Sequence, residues 1–168
     1  MQGKIQQVYR VSKELGQKGH FEGSLQLTQL PRLSSLVVSE DAEISLRFEF
    51  ATNLFDHPSI RGHVETLLEL ECQRCLTPMA YPINIDFDLL IDASDEDLEA
   101  FGLDTVYSDD GYIDLYGIIE DELILALPQI SMHDEMTCNV YWQPETEPQE
   151  PVKKDNPFLV LKSLKDKT

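Results

Sequence analysis

Residues 42–50 read AEISLRFEF, and this alternation of apolar and polar side chains decides the fold. Successive side chains of a strand point to opposite faces of a sheet, so a period of two predicts a strand with one buried face. The same period recurs at 60–71 and at 79–91. Three such strands in succession predict an antiparallel meander with one solvent-exposed face. The residues expected to face inward are Ile44, Leu46, Phe48, Phe50, Val64, Thr66, Leu68, Leu70, Tyr81, Ile83, Ile85, Phe87 and Leu89.

On the N-terminal side of the meander, the sequence predicts two short helices and one more strand. Residues 8–18 place three apolar side chains on one side of a helix. Residues 20–27 alternate and favour a strand. Residues 31–36 begin with a proline, which suits the first turn of a helix because its missing N–H has no helical acceptor there.

The main helix is predicted at 114–127, on the C-terminal side of the meander. Asp114 is a suitable N-cap, because its carboxylate can accept hydrogen bonds from the first backbone amides of a helix. Pro128 then ends the helix. The run 123–127 is apolar nearly all round, which predicts that this half lies deep in the core. With the strands, this helix gives the class α+β: an antiparallel meander packed by one main helix and by short N-terminal and C-terminal helices.

The C-terminal quarter of the chain has a different composition. Residues 143–155 are rich in Pro and Glu and are typical of a linker. Residues 156–168 form a short amphipathic segment, with Phe158, Leu161 and Leu164 at helical spacing. We therefore expect one α+β domain at 1–142, a linker, and an end segment that docks either on this domain or in a partner's groove.

Charge is distributed unevenly along the chain. The sequence holds 31 acidic and 13 basic residues, a formal net charge of -18, and no Lys or Arg lies between residues 75 and 152. This balance disfavours nonspecific contact with phosphate backbones and with anionic membranes, and it favours basic partners. The acidic side is either a solvated face or a docking surface. The side chains expected to bind a partner are Asp95, Glu96, Asp97, Glu99, Glu120, Asp121, Phe158, Leu161 and Leu164.

The chain has three cysteines, and two of them form a Cys-x-x-Cys pair. Cys72, Cys75, His133 and Cys138 together supply a Cys3His set of the kind that binds structural zinc. The alternative is that two thiols meet in a hairpin turn without a metal, since Leu76 stands where a zinc knuckle usually has glycine. A thioredoxin-like role is disfavoured, because that chemistry needs the pair at a helix N-terminus and strands flank it here. An odd cysteine count, without an apolar leader or membrane-spanning run, favours a reducing cytoplasm.

No catalytic residue is predicted. Glu120, Asp121 and Glu122 are consecutive on a helix and diverge by about 100° each, so they cannot converge as an acid/base pair. Their simplest interpretation is a solvated helix face. Phosphate loops, nucleophile elbows and HExxH motifs are absent from the sequence. No cofactor other than a possible structural zinc is expected.

Three segments carry a resemblance that is more specific than composition. They are LECQRC at 70–75, the helix segment at 113–128, and the NPF motif at 156–158 with its following leucines. In this order and spacing they resemble the YceD family, the bacterial large ribosomal RNA subunit accumulation proteins with relatives in plastids. The resemblance runs from about residue 5 to the C-terminus. Many relatives carry extra cysteines after the proline that follows the long helix, where this chain has His133 and Cys138.

The resemblance implies a role in the synthesis, processing or stability of 23S ribosomal RNA and no known enzymatic reaction. With the acidic charge, it favours a non-enzymatic factor that binds a basic large-subunit ribosomal protein or a pre-50S particle, without a small-molecule substrate. The first alternative is direct binding of 23S RNA by the lysine-bearing termini. A zinc-stabilised interaction module or an enzyme is the remaining alternative. The basic residues proposed for this contact are Arg10, Lys13, Lys18, Lys153, Lys154, Lys162, Lys165 and Lys167.

Overall fold

The computed structural model of the protein describes residues 5–17, 19–53, 56–94, 102, 104–134 and 138. In chain order the elements are β1 (Val8–Arg10), α1 (Val11–Gln17), β2 (His20–Gln26), a 3-10 helix (Leu27–Gln29), α2 (Pro31–Ser34), β3 (Glu43–Thr52), β4 (Pro58–Glu71), β5 (Pro78–Ile91), β6 (Asp104–Val106), β7 (Tyr112–Asp114) and α3 (Leu115–Leu125). Among the described residues, no helix is both long and apolar enough to span a membrane.

The predicted meander forms the body of a five-stranded sheet of order β2-β3-β4-β5-β6. Neighbouring strands from β2 to β5 are antiparallel, and β6 adds to β5 in parallel. The α+β class is therefore confirmed, and each of these four strands ends within two residues of its predicted limit. On β3 the side chains of Ile44, Leu46, Phe48 and Phe50 are buried, as the alternation predicts.

Gly62 lies in the middle of β4 at a point of very close packing. A Cβ atom there would lie 2.5 Å from the backbone oxygen of Arg47 and 2.7 Å from the ring of Phe87. Both approaches are closer than van der Waals contact, so the glycine lets the aromatic ring and the neighbouring strand close over the backbone. This position requires glycine because there is no room for a Cβ atom.

The N-terminal segment differs from its prediction. Val8–Arg10 form a strand that pairs with β7, and the helix begins at Val11. Tyr9 is buried and its ring packs on Phe21 at a centroid distance of 4.9 Å and on Phe48 at 5.5 Å. A strand aims Tyr9 at these rings while Val8 stays half exposed. The helix predicted over 8–18 is therefore wrong in its first three residues, because pairing with β7 and the aromatic packing of Tyr9 override the local helical pattern.

Helix α3 follows its prediction at the start and departs from it at the end. The Asp114 carboxylate accepts hydrogen bonds from the backbone N–H groups of Tyr116 and Gly117, at 3.1 and 3.3 Å. Leu123 is fully buried, but Leu125 is 80% exposed. Two residues span about 200° around a helix, so these side chains lie on opposite sides. The prediction that the whole apolar run lies deep in the core is wrong at Leu125.

Glu120 also differs from its expected solvated position. Its side chain is 8% exposed, and its Oε1 accepts hydrogen bonds from the backbone N–H groups of Arg32 at 2.6 Å and Leu33 at 3.1 Å. Its Oε2 accepts from the Arg32 guanidinium at 3.0 Å. A carboxylate on α3 thus caps the start of α2, which has no side-chain cap of its own. The contact fixes α2 against α3.

The predicted C-terminal organisation is not tested by the described residues. Met1–Cys138 group as one compact unit. The predicted linker at 143–155 and the amphipathic segment at 156–168 lie outside the described residues, so both stay predictions.

Candidate metal centre

The Cys-x-x-Cys pair occupies the turn between β4 and β5. The backbone N–H of Cys72 donates to the Thr77 carbonyl at 3.0 Å, and the N–H of Leu76 donates to the Cys72 carbonyl at 2.8 Å. Leu76 has a φ of 58°, the left-handed conformation that glycine adopts most easily. The turn therefore has the backbone shape of a glycine-containing turn even though leucine occupies the position. The absence of glycine no longer argues against a metal.

The segment that follows α3 lies beside this turn. The backbone N–H of Gln73 donates to the Ser131 carbonyl at 2.8 Å, and the Ser131 hydroxyl donates to the Glu71 carbonyl at 2.7 Å. These contacts carry His133 to within reach of the two cysteines. Residues far apart in sequence thus meet at the end of the sheet.

Four predicted ligands converge there. The Sγ atoms of Cys72, Cys75 and Cys138 and a ring nitrogen of His133 all lie within 4.8 Å of one another. Cys72 Sγ is 3.4 Å from Cys138 Sγ, and Cys75 Sγ is 3.4 Å from His133 Nδ1. A tetrahedral zinc with Zn–S bonds of about 2.3 Å would space its sulfur ligands by about 3.8 Å. The observed separations fit that geometry.

The ring of His133 has an orientation suited to a ligand. Its Nε2 lies 3.2 Å from the carbonyl oxygen of Pro78, which can only accept a hydrogen bond. In the neutral ring that a metal requires, Nε2 therefore carries the proton and Nδ1 presents its lone pair to the cysteines. A second hydrogen bond of this kind fixes the tautomer of most metal-binding histidines.

The three thiols differ in their ease of ionisation. Burial opposes ionisation of Cys72, but backbone N–H groups of Cys75, His133 and Arg74 point at its sulfur and lower its pKa to about 5. A hydrogen bond from the Thr77 hydroxyl, at 3.2 Å, is the main cause that lowers the pKa of Cys75. Burial, and then the neighbouring sulfurs, raise the pKa of Cys138 to about 11. A dication would remove this conflict by neutralising all three thiolates.

These arrangements limit the chemistry that the centre can perform. Three cysteines and one histidine fill a tetrahedral shell and leave no open position for water or substrate. Such a set suits a structural metal. The supporting groups, the Thr77 hydroxyl, the Pro78 carbonyl and the amides of the turn, were not predicted. The carbonyl and the amides are backbone groups without a side-chain signature, and a threonine two residues after a cysteine is not by itself a signal, so these roles could not be read from the sequence.

The predicted partner surface is described only in part. Asp121 is 61% exposed and pairs with Arg32, whereas Glu120 is buried as described above. Asp95, Glu96, Asp97 and Glu99 lie outside the described residues, as do Phe158, Leu161 and Leu164. Other acids of the lysine-free segment have structural contacts, such as Asp92, which accepts hydrogen bonds from the N–H and hydroxyl of Ser108 at 2.6 Å each.

The outer face of the sheet carries paired charges around a shallow depression of about 450 Å³. His63 lies between two carboxylates, with Nε2 2.8 Å from Glu65 and Nδ1 2.7 Å from Asp86, and these contacts raise its pKa. Arg61 lies beside Glu49, and its guanidinium lowers the pKa of that carboxyl. His20, Arg61 and His63 each contact a carboxylate on this face.

Comparison with known proteins identifies the relatives of the chain. Residues 60–165 match the family model described as large ribosomal RNA subunit accumulation protein YceD. The chain is 34% identical over 163 residues to a protein of that name from Haemophilus influenzae. The alignment covers 92% of this chain and 92% of that relative. No solved structure matches the chain. On this evidence, the resemblance seen in the three sequence segments is confirmed, and the chain belongs to the YceD family.

Proposed function

We propose that this chain is a non-enzymatic cytoplasmic factor that promotes accumulation of the large ribosomal subunit RNA, through synthesis, processing or stability of 23S RNA. The observation that carries the proposal is its relationship to a large ribosomal RNA subunit accumulation protein over 92% of both chains. The proposed metal ligands Cys72, Cys75, His133 and Cys138 would leave no open coordination position for a substrate. This supports a role in binding a partner over a role in metal catalysis.

The partner proposed is a basic large-subunit ribosomal protein or a pre-50S particle. A formal net charge of -18 attracts a basic surface and repels exposed phosphates. Direct RNA contact through the N-terminal basic residues has less support, because Lys13 pairs with Glu14 and Arg10 lies over the ring of Tyr112. The proposed docking surface is Asp95, Glu96, Asp97 and Glu99 with the exposed Asp121, and the C-terminal apolar segment adds to it or packs on its own domain.

The test of the partner is a capture experiment with matched charge reversals. One variant replaces Asp95, Glu96 and Asp97 by Lys, and the control replaces the exposed acids Glu40, Asp41 and Glu43 by Lys. Both variants change the net charge equally. After crosslinking in cells at mild salt, we expect the first variant to lose a basic large-subunit protein and the control to retain it.

Two outcomes would contradict this mechanism. Equal capture by both variants would show that the 95–99 region is not the docking surface. Recovery of 23S precursor, with crosslinks that map to the lysine-bearing termini, would favour direct RNA binding. A strain that lacks the chain and accumulates normal amounts of 23S RNA would contradict the functional proposal itself.

We also propose that Cys72, Cys75, His133 and Cys138 bind one structural zinc ion. The metal would join the β4–β5 turn to the segment after α3. Protein purified without metal-affinity resin should contain about one zinc per chain. Zinc at 100-fold excess over its dissociation constant should raise the melting temperature by about 5–10 °C over the chelated protein.

The matched variants for zinc are two histidine replacements. His133→Ala removes one proposed ligand, and His20→Ala removes an exposed histidine that contacts Glu49. We expect zinc content and the zinc-dependent rise in melting temperature to fall in the first variant alone. Wild-type protein without zinc that gains no stability from added zinc would contradict the metal proposal and leave the ribosomal proposal standing.

A further inference from the structure

The three cysteines of the cluster differ in their access to solvent. Cys72 and Cys138 are buried, whereas Cys75 is partly exposed. All three sulfurs nevertheless lie within 4.8 Å of one another. A small oxidant that approaches from solvent therefore meets Cys75 first, with two further thiols directly behind it.

We propose that Cys75 is a peroxide-reactive site whose oxidation closes a disulfide inside the cluster and expels the zinc. This inference rests on the zinc proposal made above. It assigns to Cys75 a role that a purely structural ligand would not have, because its reaction with hydrogen peroxide couples the redox state of the cell to the end of the sheet.

The reaction has two balanced steps. The Cys75 thiolate attacks one peroxide oxygen; an S–O bond forms, the O–O bond breaks and hydroxide leaves, giving a sulfenic acid. The thiolate of Cys72 or Cys138 then attacks the Cys75 sulfur; an S–S bond forms, the S–O bond breaks and a second hydroxide leaves. Two thiolates have lost two electrons and hydrogen peroxide has gained them.

The geometry favours the second step. The sulfenic sulfur would have two neighbours within 4.8 Å, so side-chain rotation can bring one of them into bonding distance. The backbone N–H of His133 points at Cys72 Sγ, at 3.5 Å, and stabilises a thiolate there. Thiolates are the nucleophiles of disulfide formation.

Loss of the metal follows from loss of its ligands. A disulfide leaves one cysteine and His133, two ligands where structural zinc needs four. The described links between the β4–β5 turn and the segment after α3 are then reduced to contacts such as the Ser131 hydrogen bond to Glu71. Peroxide would in this way loosen that segment, and a reductant with zinc would restore it.

The first test uses the zinc-loaded full chain, hydrogen peroxide and a chromogenic zinc chelator. We expect release of one zinc for each disulfide formed, a disulfide that includes Cys75 in peptide mapping, and recovery of zinc binding after reduction. A disulfide between Cys72 and Cys138 alone would overturn the assignment of Cys75. Zinc retained while peroxide oxidises methionines of the same chain would overturn the inference and leave the zinc proposal intact. A chain that never binds zinc would overturn both.

A second test changes the reactivity of Cys75 without replacing any of the four metal ligands. Thr77→Val removes the hydroxyl that lies 3.2 Å from Cys75 Sγ and keeps the side-chain shape. In the zinc-loaded chain Cys75 is a thiolate with or without this hydrogen bond. A thiolate that loses a hydrogen bond is the stronger nucleophile, so zinc release should be about threefold to tenfold faster. The control Thr105→Val removes a hydroxyl that bonds the Leu90 carbonyl, away from the cluster, and should leave the rate unchanged. Equal rates in the two variants would overturn the role of Cys75.

Discussion

Replacement of Glu120 by alanine should destabilise the fold strongly, although its sequence context is that of a surface residue. Its carboxylate accepts hydrogen bonds from the backbone N–H groups of Arg32 at 2.6 Å and of Leu33 at 3.1 Å, in a site that is almost closed to solvent. Glu120→Ala leaves both donors without an acceptor. The start of α2 then loses its cap.

The size of the expected loss in unfolding free energy follows from these two unpaired donors. A buried N–H left without a partner costs about 1–3 kcal/mol, so two of them give about 2–6 kcal/mol. Water can reach part of the vacated space, which places the expected loss at about 3 kcal/mol. Glu120→Gln should cost less, because its amide oxygen can still accept from the two backbone donors. A loss of about 3 kcal/mol corresponds to a fall in melting temperature of about 6–12 °C for a chain of this size.

Urea denaturation measures these free energies, with Asp121→Ala as the matched control. Asp121 contacts the same arginine but is 61% exposed, so its replacement should cost clearly less. We expect the free energy of unfolding to be lowest for Glu120→Ala, intermediate for Glu120→Gln and highest for Asp121→Ala. The reasoning is refuted if Glu120→Ala and Asp121→Ala unfold at the same urea concentration.

Three further predictions concern the turn, the sheet and its outer face. Leu76→Gly should raise the free energy of unfolding by about 1 kcal/mol relative to Leu76→Ala, because glycine adopts the φ of 58° without strain; equal stability of the two variants would contradict this. Gly62→Ala should cost about 3 kcal/mol, because its Cβ would lie 2.5 Å from a backbone oxygen, whereas Gly16→Ala meets nothing within 4 Å and should not destabilise. The pKa of His63 is raised in the folded state, so its carboxylate contacts contribute fully below about pH 6.5 and are lost as pH rises through the folded pKa. The stability difference between wild type and His63→Gln, about 0.5–1 kcal/mol, should therefore shrink at alkaline pH, and a difference that grows would contradict it.

The local sequence pattern was sufficient to predict the main strands and the start of the main helix. Residues such as Phe48 and Leu46 face inward because a strand alternates its side chains, a property of the backbone that holds without knowledge of the neighbours. Asp114 caps α3 because the carboxylate and the amides that it accepts from are two and three residues apart. Interactions of this range are visible in a sequence.

Contacts between segments that are distant in the chain could not be predicted from the local sequence pattern. Val8–Arg10 form a strand because β7, about one hundred residues later, supplies the pairing partner. Glu120 is buried because α2 presents two unpaired amides to it, and nothing in its own neighbourhood signals this.

The candidate metal centre depends on both kinds of information. The sequence by itself determined the ligand types, since Cys72, Cys75, His133 and Cys138 are the residues from which zinc sites are built. The tertiary structure alone decided that they converge within 4.8 Å, because hydrogen bonds from Gln73 and Ser131 hold the segment after α3 against the β4–β5 turn. Composition specifies which atoms can bind a metal, whereas their distance is set by packing between parts of the chain that lie some sixty residues apart.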